Sequence, residues 1–137
     1  PFEPLFFEQG LTLISQVDEG ITVSGDEEAL RRVLEILLDN AQKYSSPGGE
    51  TQVTLHRRGR NHCALTVANQ GEPIPPEARR QIFQRFYRAD PARSRNGSFG
   101  LGLSIAEGIV AQHHGTIDVT CAGGFNRFRA ELPCQQE

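Results

Sequence analysis

Two short runs of residues carry groups suited to binding phosphate and a cation. The run Gly97–Ala106 places three glycines at the start of an apolar helix, where free backbone N–H groups and the positive helix end can receive phosphate. Earlier in the chain, Asn40, Lys43 and Tyr44 are spaced i, i+3 and i+4 and so share one helical face. An amide oxygen suits Mg²⁺, an ammonium neutralises phosphate, and a phenol ring can cover a base. Together the runs predict a pocket for a nucleotide and a cation.

Each run, taken alone, has a simpler interpretation. A helix C-terminus explains Lys43 through the helix dipole and Tyr44 as a ring at a domain edge. The glycines could form a flexible linker before an amphipathic helix. They do not form the phosphate loop G-x-x-x-x-G-K-[ST], and Ile105 stands where a G-x-G-x-x-G dinucleotide turn needs its third glycine.

Two further segments carry candidate residues. The segment Asn69–Glu77 leaves a strand and turns sharply at Gly71, so the Asn69 amide lies at the strand end and could pair with the edge of a base. The segment Ile82–Arg88 groups three aromatic residues with two arginines. This grouping predicts a hinge, in which the rings anchor the next segment and the arginines meet phosphate. A strand-to-helix turn and an aromatic core patch would explain the same residues.

Composition sets the class of protein. A chain of 137 residues fits one domain, residues 1–137, and is long enough to bury a core without disulfides or metals to stabilise it. The net charge of −3 is spread along the chain and indicates no nucleic-acid partner. Three cysteines without C-x-x-C spacing predict reduced thiols in a cytosolic domain. No apolar run approaches the ~20 residues of a membrane span, so we expect a domain outside the membrane.

Hydrophobic periodicity predicts the first half of the fold. Strand candidates Thr12–Val17 and Ile21–Ser24 flank the turn Asp18–Gly20, which predicts a hairpin. Either Asp26 alone, or Ser24 with Glu27 in a capping box, begins a helix. Its apolar residues recur at three- and four-residue steps until the helix ends before residues 47–49.

The second half alternates strands and helices. The pattern predicts an antiparallel hairpin of Thr51–Arg58 and Ala64–Asn69, and a short helix that begins at Pro75 and runs through Phe83. It also predicts a polar loop, a second long helix to His113, and a last strand pair, Gly115–Thr120 with Phe125–Leu132. These elements predict an α+β, two-layer sandwich, with one mostly antiparallel mixed sheet and helices packed on one face.

The order of these motifs along nearly the whole chain resembles the catalytic, ATP-binding domain of bacterial sensor histidine kinases. That domain has the Bergerat fold, which is shared with gyrase, Hsp90 and MutL (the GHKL group). The chain resembles all four boxes of the family: the N box at Leu37–Tyr44, G1 at Asn69–Pro75, F at Phe83–Arg88 and G2 at Gly97–Leu103.

The resemblance implies roles for individual residues. Asn40 would bind Mg²⁺, and Lys43 with the backbone at Gly100, Leu101, Gly102 and Leu103 would bind the phosphates of ATP. Tyr44 and Ile74 would form walls for adenine, beside Asn69, Gly71 and Phe83. Arg88 would face the γ-phosphate, which makes Asn40, Lys43 and Arg88 the catalytic set. Residues 89–99 would be a short ATP lid.

Three positions depart from the family's usual pattern. Asn69 replaces an aspartate that accepts a hydrogen bond from adenine, and Pro73 replaces a glycine. An amide lacks the charge of a carboxylate, so Asn69→Asp is expected to strengthen adenine binding by ~1 kcal/mol. Ile36 replaces a polar residue, which disfavours ATP hydrolysis more than transfer to a separate acceptor. The form Asn-x-Gly-x-Pro-Ile-Pro at residues 69–75 resembles heavy-metal sensor kinases.

The implied activity is transfer of the γ-phosphate of Mg-ATP to a histidine on a separate dimerisation domain. None of the chain's four histidines lies in the His-Glu/Asp-x-x-x-Pro setting of an acceptor, and His113 and His114 are interpreted as helix-end residues instead of metal ligands. The implied partners are that dimerisation domain and a response regulator, in a membrane-anchored homodimer with this domain in the cytoplasm. Two alternatives stay open: a degenerate nucleotide-binding regulatory module, or a stand-alone GHKL ATPase or anti-sigma kinase.

Overall fold

A computed structural model describes residues 12–17, 25–84 and 102–134 of the chain. Five strands form one sheet in the order β1-β2-β3-β5-β4. The elements are β1 (Thr12–Val17), α1 (Glu27–Tyr44), β2 (Glu50–Arg58), β3 (His62–Gln70), α2 (Gly102–Gln112), β4 (Thr116–Ala122) and β5 (Phe125–Pro133). The predicted α+β sandwich with a mixed sheet is confirmed.

Helix α1 begins where the sequence indicated. Asp26 is the N-cap residue, and its Oδ1 accepts hydrogen bonds from the backbone N–H groups of Glu28 at 3.0 Å and Ala29 at 3.2 Å. Such a cap satisfies amides that have no partner inside the helix. The helix ends at Tyr44, with Ser45 as its C-cap in extended conformation. Its last turn therefore lies at the sheet end where β2 begins.

The sheet is antiparallel except at one edge. Strands β2 and β3 form the predicted hairpin, with Val53 opposite Val67. Strand β1 is confirmed as a strand, but it pairs in parallel with β2, Thr12 facing Glu50. A parallel pair needs a crossover connection, and α1 lies in the connection between these two strands. The predicted hairpin partner, residues 21–24, lies outside the described residues.

The core lies between the sheet and the two helices. In β5 the residues alternate strictly between half-buried and buried, which is the two-residue period of a strand with one covered face. Helices α1 and α2 pack against each other and against this face. The largest buried apolar side chains include Val33, Leu37, Val67, Val110 and Phe128.

The segments around α2 differ slightly from the prediction. The short helix predicted from Pro75 to Phe83 is two separate 3-10 turns, Pro76–Ala78 and Gln81–Phe83. Helix α2 ends at Gln112, one residue before the predicted end. The predicted lid, residues 89–99, lies outside the described residues.

His113 connects the two helices. Its Nδ1 donates to the carbonyl oxygen of Ile109 at 2.8 Å, and its Nε2 accepts from the backbone N–H of Asp26 at 3.1 Å. This pair of partners requires the neutral imidazole with its proton on Nδ1. The helix-end position predicted for His113 is confirmed, and the ring additionally ties the end of α2 to the start of α1.

Candidate nucleotide-binding site

The end of α1 meets the end of β3 at the carbonyl oxygen of Tyr44. Asn69 Nδ2 donates to this oxygen at 3.2 Å. A Cβ atom on residue 71 would lie 2.5 Å from the same oxygen, so Gly71 is the residue that permits this approach. The backbone N–H of Ser46 donates to the carbonyl of Gln70 at 2.9 Å. The N-box helix and the G1 strand are therefore held together by contacts within the chain.

Asn69 is fixed in one orientation by this contact. Its side chain is buried, with 1% of the residue exposed. A backbone carbonyl can only accept, so the amide must turn Nδ2 toward Tyr44 and Oδ1 away from it. The amide thus offers an acceptor at the strand end, which is the chemistry needed to pair with an amino group on a base.

A second buried amide fixes the turn that follows Asn69, residues 71–75. Asn126 Oδ1 accepts from the backbone N–H of Ile74 at 3.1 Å and from Cys121 Sγ at 2.9 Å. Asn126 Nδ2 donates to the carbonyl of Glu72 at 2.9 Å. The backbone N–H of Gly71 also donates to the carbonyl of Gly124 at 3.1 Å. Strand β5 and its preceding turn therefore set the shape of the G1 turn.

Sequence reasoning missed Asn126 and its partner Cys121. Asn126 is 1% exposed and lies beside Asn69 in the β3–β5 register. The available signal was its phase in the alternating pattern of β5, which puts residue 126 on the inward face with Phe128. A polar side chain at an inward strand position indicates a buried hydrogen-bond network.

Asn40 and Lys43 lie on the last turns of α1, as their spacing predicts. Asn40 Nδ2 donates to the carbonyl of Ile36 at 3.1 Å, which leaves Oδ1 for another partner. Lys43 Nζ lies 3.0 Å from Asp39 Oδ2, and its side chain is 17% exposed, so its charge is already paired on the helix. The described residues contain no group of three His, Cys, Asp or Glu side chains that could hold a metal. The Asn40 amide oxygen fits Mg²⁺ as a neutral oxygen ligand.

The start of α2 approaches the same face of α1. A Cβ atom on residue 102 would lie 3.4 Å from Ile36 Cγ2, so Gly102 passes close to the turn that precedes Asn40. Helix α2 therefore begins beside the face of α1 that carries Asn40. The backbone of Gly102 and of the buried Leu103 lies in this first turn. Gly100, Leu101 and Arg88 lie outside the described residues.

Phe83 and Ile74, which the resemblance assigns to the adenine pocket, both pack with the hydrophobic core. Phe83 is buried in the core, with its ring 6.3 Å from that of Phe128 at an interplanar angle of 65°. Ile74 is half-buried and packs against the core. The structure therefore brings Asn40, Tyr44, Asn69 and Gly71 to one end of the sheet, while the Phe83 ring contacts the core.

Comparison with known proteins identifies the family of the chain. The family described as histidine kinase-, DNA gyrase B- and HSP90-like ATPase matches residues 25–136. The signal transduction histidine-protein kinase/phosphatase MprB of Mycolicibacterium smegmatis is 49% identical over 107 residues, which is 77% of this chain and 22% of that protein. The sensor histidine kinase CusS of Escherichia coli K12 is 41% identical over 133 residues, which is 96% of this chain and 27% of that protein.

Solved structures show the same fold. A mycobacterial sensor histidine kinase MprB superposes with a TM-score of 0.86 at 30% identity, covering 99% of this chain and 91% of that one. A catalytic domain of the histidine kinase ThkA, free of nucleotide, gives a TM-score of 0.86 at 25% identity, covering 98% of this chain and 86% of that one.

The family match and the fold together define an ATP-binding domain of the GHKL class. The chain belongs to the histidine kinase-, DNA gyrase B- and HSP90-like ATPase family, and within it corresponds to the catalytic domain of sensor histidine kinases. These relatives confirm the predicted family and disfavour the regulatory-module and stand-alone ATPase alternatives. The chain spans about a quarter of the length of the curated relatives it matches. No helix in the described ranges is long and apolar enough to cross a membrane.

Proposed function

We propose that this domain binds Mg-ATP between the end of α1 and the start of α2 and passes the γ-phosphate to a histidine on a separate dimerisation domain. The observation that carries the proposal is the Asn69 amide, buried at the strand end with Nδ2 committed to Tyr44. Its Oδ1 is then the acceptor for the exocyclic amino group of adenine. Guanine has a carbonyl in that place, so the same contact selects against GTP.

Residues of α1 and α2 would hold the phosphates. Lys43 would exchange Asp39 for the phosphate chain, because a phosphate carries more negative charge than one exposed carboxylate. The backbone N–H groups at the start of α2, with the positive end of its helix dipole, offer further contacts. Asn40 Oδ1 would hold Mg²⁺, which supplies charge neutralisation on the phosphate oxygens.

The chain's contribution to the chemistry is positioning and charge neutralisation. Phosphoryl transfer needs the acceptor nitrogen in line with the leaving oxygen of ADP, with the developing charge balanced by cationic groups. Lys43 and Arg88 are the cationic side chains that we assign to this task. None of the four histidines, His56, His62, His113 and His114, lies in an acceptor motif, and His113 is occupied in joining two helices.

The proposal extends to the partners of the domain and to the stimulus of the whole protein. A solved complex pairs histidine kinase ThkA with the response regulator protein TrrA, and that ThkA structure superposes on this chain with a TM-score of 0.79 at 25% identity. We infer that a response regulator receives the phosphate from the acceptor histidine. We also infer a membrane-anchored homodimer with this domain in the cytoplasm. The link to metal ions rests on the resemblance of residues 69–75 to heavy-metal sensor kinases.

Isothermal calorimetry with a non-hydrolysable ATP analogue tests the proposal. The domain is expected to bind the ATP analogue more tightly with Mg²⁺ than without it, and to bind the matching GTP analogue weakly. Addition of a separately produced histidine-containing dimerisation domain and radiolabelled ATP should then label that domain. Absence of adenine-selective binding would refute the nucleotide site itself, whereas binding without transfer would refute the kinase activity alone.

Asn40→Asp tests the Mg²⁺ assignment. An ionised carboxylate cannot donate to the Ile36 carbonyl as Asn40 Nδ2 does, so the side chain loses the orientation that presents its oxygen to the metal, and we expect the gain in affinity that Mg²⁺ gives to be abolished. The matched control is Asn61→Asp, which makes the same chemical change in the exposed turn between β2 and β3. Equal effects of Mg²⁺ on wild type and Asn40→Asp would remove Asn40 from the metal site.

A further inference from the structure

A second cluster of reactive side chains lies at the sheet end opposite the candidate site. Cys63 is near the start of β3, six positions before Asn69, which at ~3.3 Å per residue puts them about 20 Å apart. Cys63 faces Leu132 in the β3–β5 register, and Cys134 follows two residues later on the same side. The backbone N–H of Cys134 donates to the carbonyl of Asn61 at 2.6 Å, which extends the strand pairing to this residue.

The two thiols contact each other in an asymmetric environment. Cys63 is fully buried, while Cys134 is half-buried at the edge of the core. The side chains are in hydrogen-bond contact. Burial first, and then the neighbouring Cys134, raise the pKa of the Cys63 thiol to about 11. Cys63 is closed to solvent, so a first reaction of this pair with a dissolved reagent falls to the half-buried Cys134.

A cationic side chain lies against Cys134. Arg57 Nη1 donates to Cys134 Sγ at 3.5 Å and to the carbonyl of Arg60 at 3.1 Å, so the guanidinium is held in place beside the sulfur. Nucleophilic cysteines commonly lie beside cationic side chains. Cys134 thus combines access, a cation and a second thiol within reach.

We propose that Cys134 and Cys63 form a peroxide-sensitive dithiol site, in which Cys134 reacts with hydrogen peroxide and Cys63 then closes a disulfide. In the first step the Cys134 sulfur attacks one peroxide oxygen, the O–O bond breaks, and the departing oxygen leaves as water with the thiol proton. Cys134 is then a sulfenic acid. In the second step the Cys63 sulfur attacks the Cys134 sulfur, the S–O bond breaks, and a second water carries away the Cys63 proton. The thiols lose the two electrons that the peroxide gains.

The third cysteine provides an internal control. Cys121 is half-buried near the candidate nucleotide site, where its thiol donates to Asn126 Oδ1. If oxidation depended on solvent exposure alone, the half-buried Cys121 and Cys134 would react at similar rates. A site of the kind proposed would consume Cys63 and Cys134 together and leave Cys121 as a thiol.

The test is a time course with hydrogen peroxide, followed by denaturation, counting of free thiols and peptide mapping by mass spectrometry. Two of the three thiols should disappear together, with a Cys63–Cys134 peptide pair lighter by two hydrogen atoms and restored by dithiothreitol. Affinity for the ATP analogue should stay unchanged, since the pair is remote from Asn69. Absence of the linked peptides, or oxidation of Cys121 at the same rate, would overturn the proposal.

Variants test the order of events. In Cys63→Ala the reaction should stop at a Cys134 sulfenic acid, which dimedone labels, whereas in Cys134→Ser dimedone should not label Cys63. Arg57→Gln should slow the loss of Cys134 several-fold, and Arg58→Gln, which alters the neighbouring exposed arginine, should not. Circular dichroism establishes that each variant is folded. If Cys63→Ala does not fold, the Cys134→Ser variant, which changes a half-buried position, still tests which thiol reacts first. Dimedone labelling of Cys63 in that variant would contradict the proposed order.

Discussion

The carbonyl oxygen of Tyr44 is the atom at which the candidate site is assembled. It accepts from Asn69 Nδ2, and its closeness to residue 71 leaves room only for glycine. The family's usual aspartate has no donor to offer this oxygen when ionised. The departure from the family pattern at Asn69 is therefore matched by a contact that only an amide can make. This contact could not be read from the sequence, because it joins residues in separate elements.

The Asn69→Asp variant allows the contribution of Asn69 to stability and its contribution to base recognition to be measured separately. A carboxylate facing the Tyr44 carbonyl loses a buried hydrogen bond, so we expect the free energy of unfolding to fall by about 1–3 kcal/mol at neutral pH. The folded variant should still bind the ATP analogue, with the ~1 kcal/mol gain expected for a charged acceptor. Thermal unfolding without ligand measures the first effect and calorimetry the second. Weaker binding by the folded variant would contradict the role of Asn69 as acceptor for the base.

Asn126 is the positioning residue behind the G1 turn. Asn126→Ala leaves the Ile74 N–H and the Glu72 carbonyl without their partner, which should lower the free energy of unfolding by about 2 kcal/mol. The turn then loses its fixed shape, so the dissociation constant for the ATP analogue should rise on the order of tenfold, or about 1.4 kcal/mol. Asn126→Asp keeps an acceptor for the Ile74 N–H, so its free energy of unfolding and its dissociation constant should lie between those of the wild type and those of Asn126→Ala. A purely structural role would lower stability without changing the dissociation constant of the folded protein.

At the scale of elements, the two helices are joined at their ends by one imidazole. The His113 ring bridges Ile109 in α2 and the N-cap residue of α1, and a Cβ on residue 25 would collide with it. Gly25 therefore makes room for the ring. The sequence indicated a helix end at His113 but not this contact, because the two bonded residues are 87 positions apart.

A double-mutant cycle tests this junction. His113→Ala should lower the free energy of unfolding by about 1 kcal/mol through the lost hydrogen bonds. Gly25→Ala should also destabilise, because its methyl group meets the ring. In the double variant the collision is absent, so the two losses should not add. Denaturant unfolding of the four proteins measures the coupling, and additive losses would show that the methyl group and the ring do not meet.

Local patterns predicted most of the elements, and longer-range pairing decided the rest. Periodicity gave α1, the β2–β3 hairpin and the β4–β5 pair with end errors of a few residues. The partner of β1 depended on a crossover through α1, which no short window of sequence contains. The shared helical face of Asn40, Lys43 and Tyr44 was predictable from their spacing, whereas the place of Asn126 required knowing which strand lies beside β3.

At the scale of the whole molecule, the sheet separates two sites. The proposed nucleotide site lies at the end of β3 that carries Asn69, and the proposed thiol site lies at the end that carries Cys63. Binding of nucleotide at a hundred times its dissociation constant should stabilise the fold by about 2.7 kcal/mol. A disulfide that closes a loop of roughly seventy residues should add about 4 kcal/mol through the unfolded chain.

These two stabilisations are expected to be additive. Sites more than about 10 Å apart, without shared partners, usually add within ~0.5 kcal/mol. Denaturant unfolding of the reduced and oxidised protein, each with and without the ATP analogue and Mg²⁺, gives the four free energies that this comparison needs. Cys134→Ser treated with peroxide serves as the control that cannot form the disulfide. A coupling well above ~0.5 kcal/mol would mean that the sheet transmits oxidation at Cys63 to the nucleotide site, and that the two ends of β3 do not act independently.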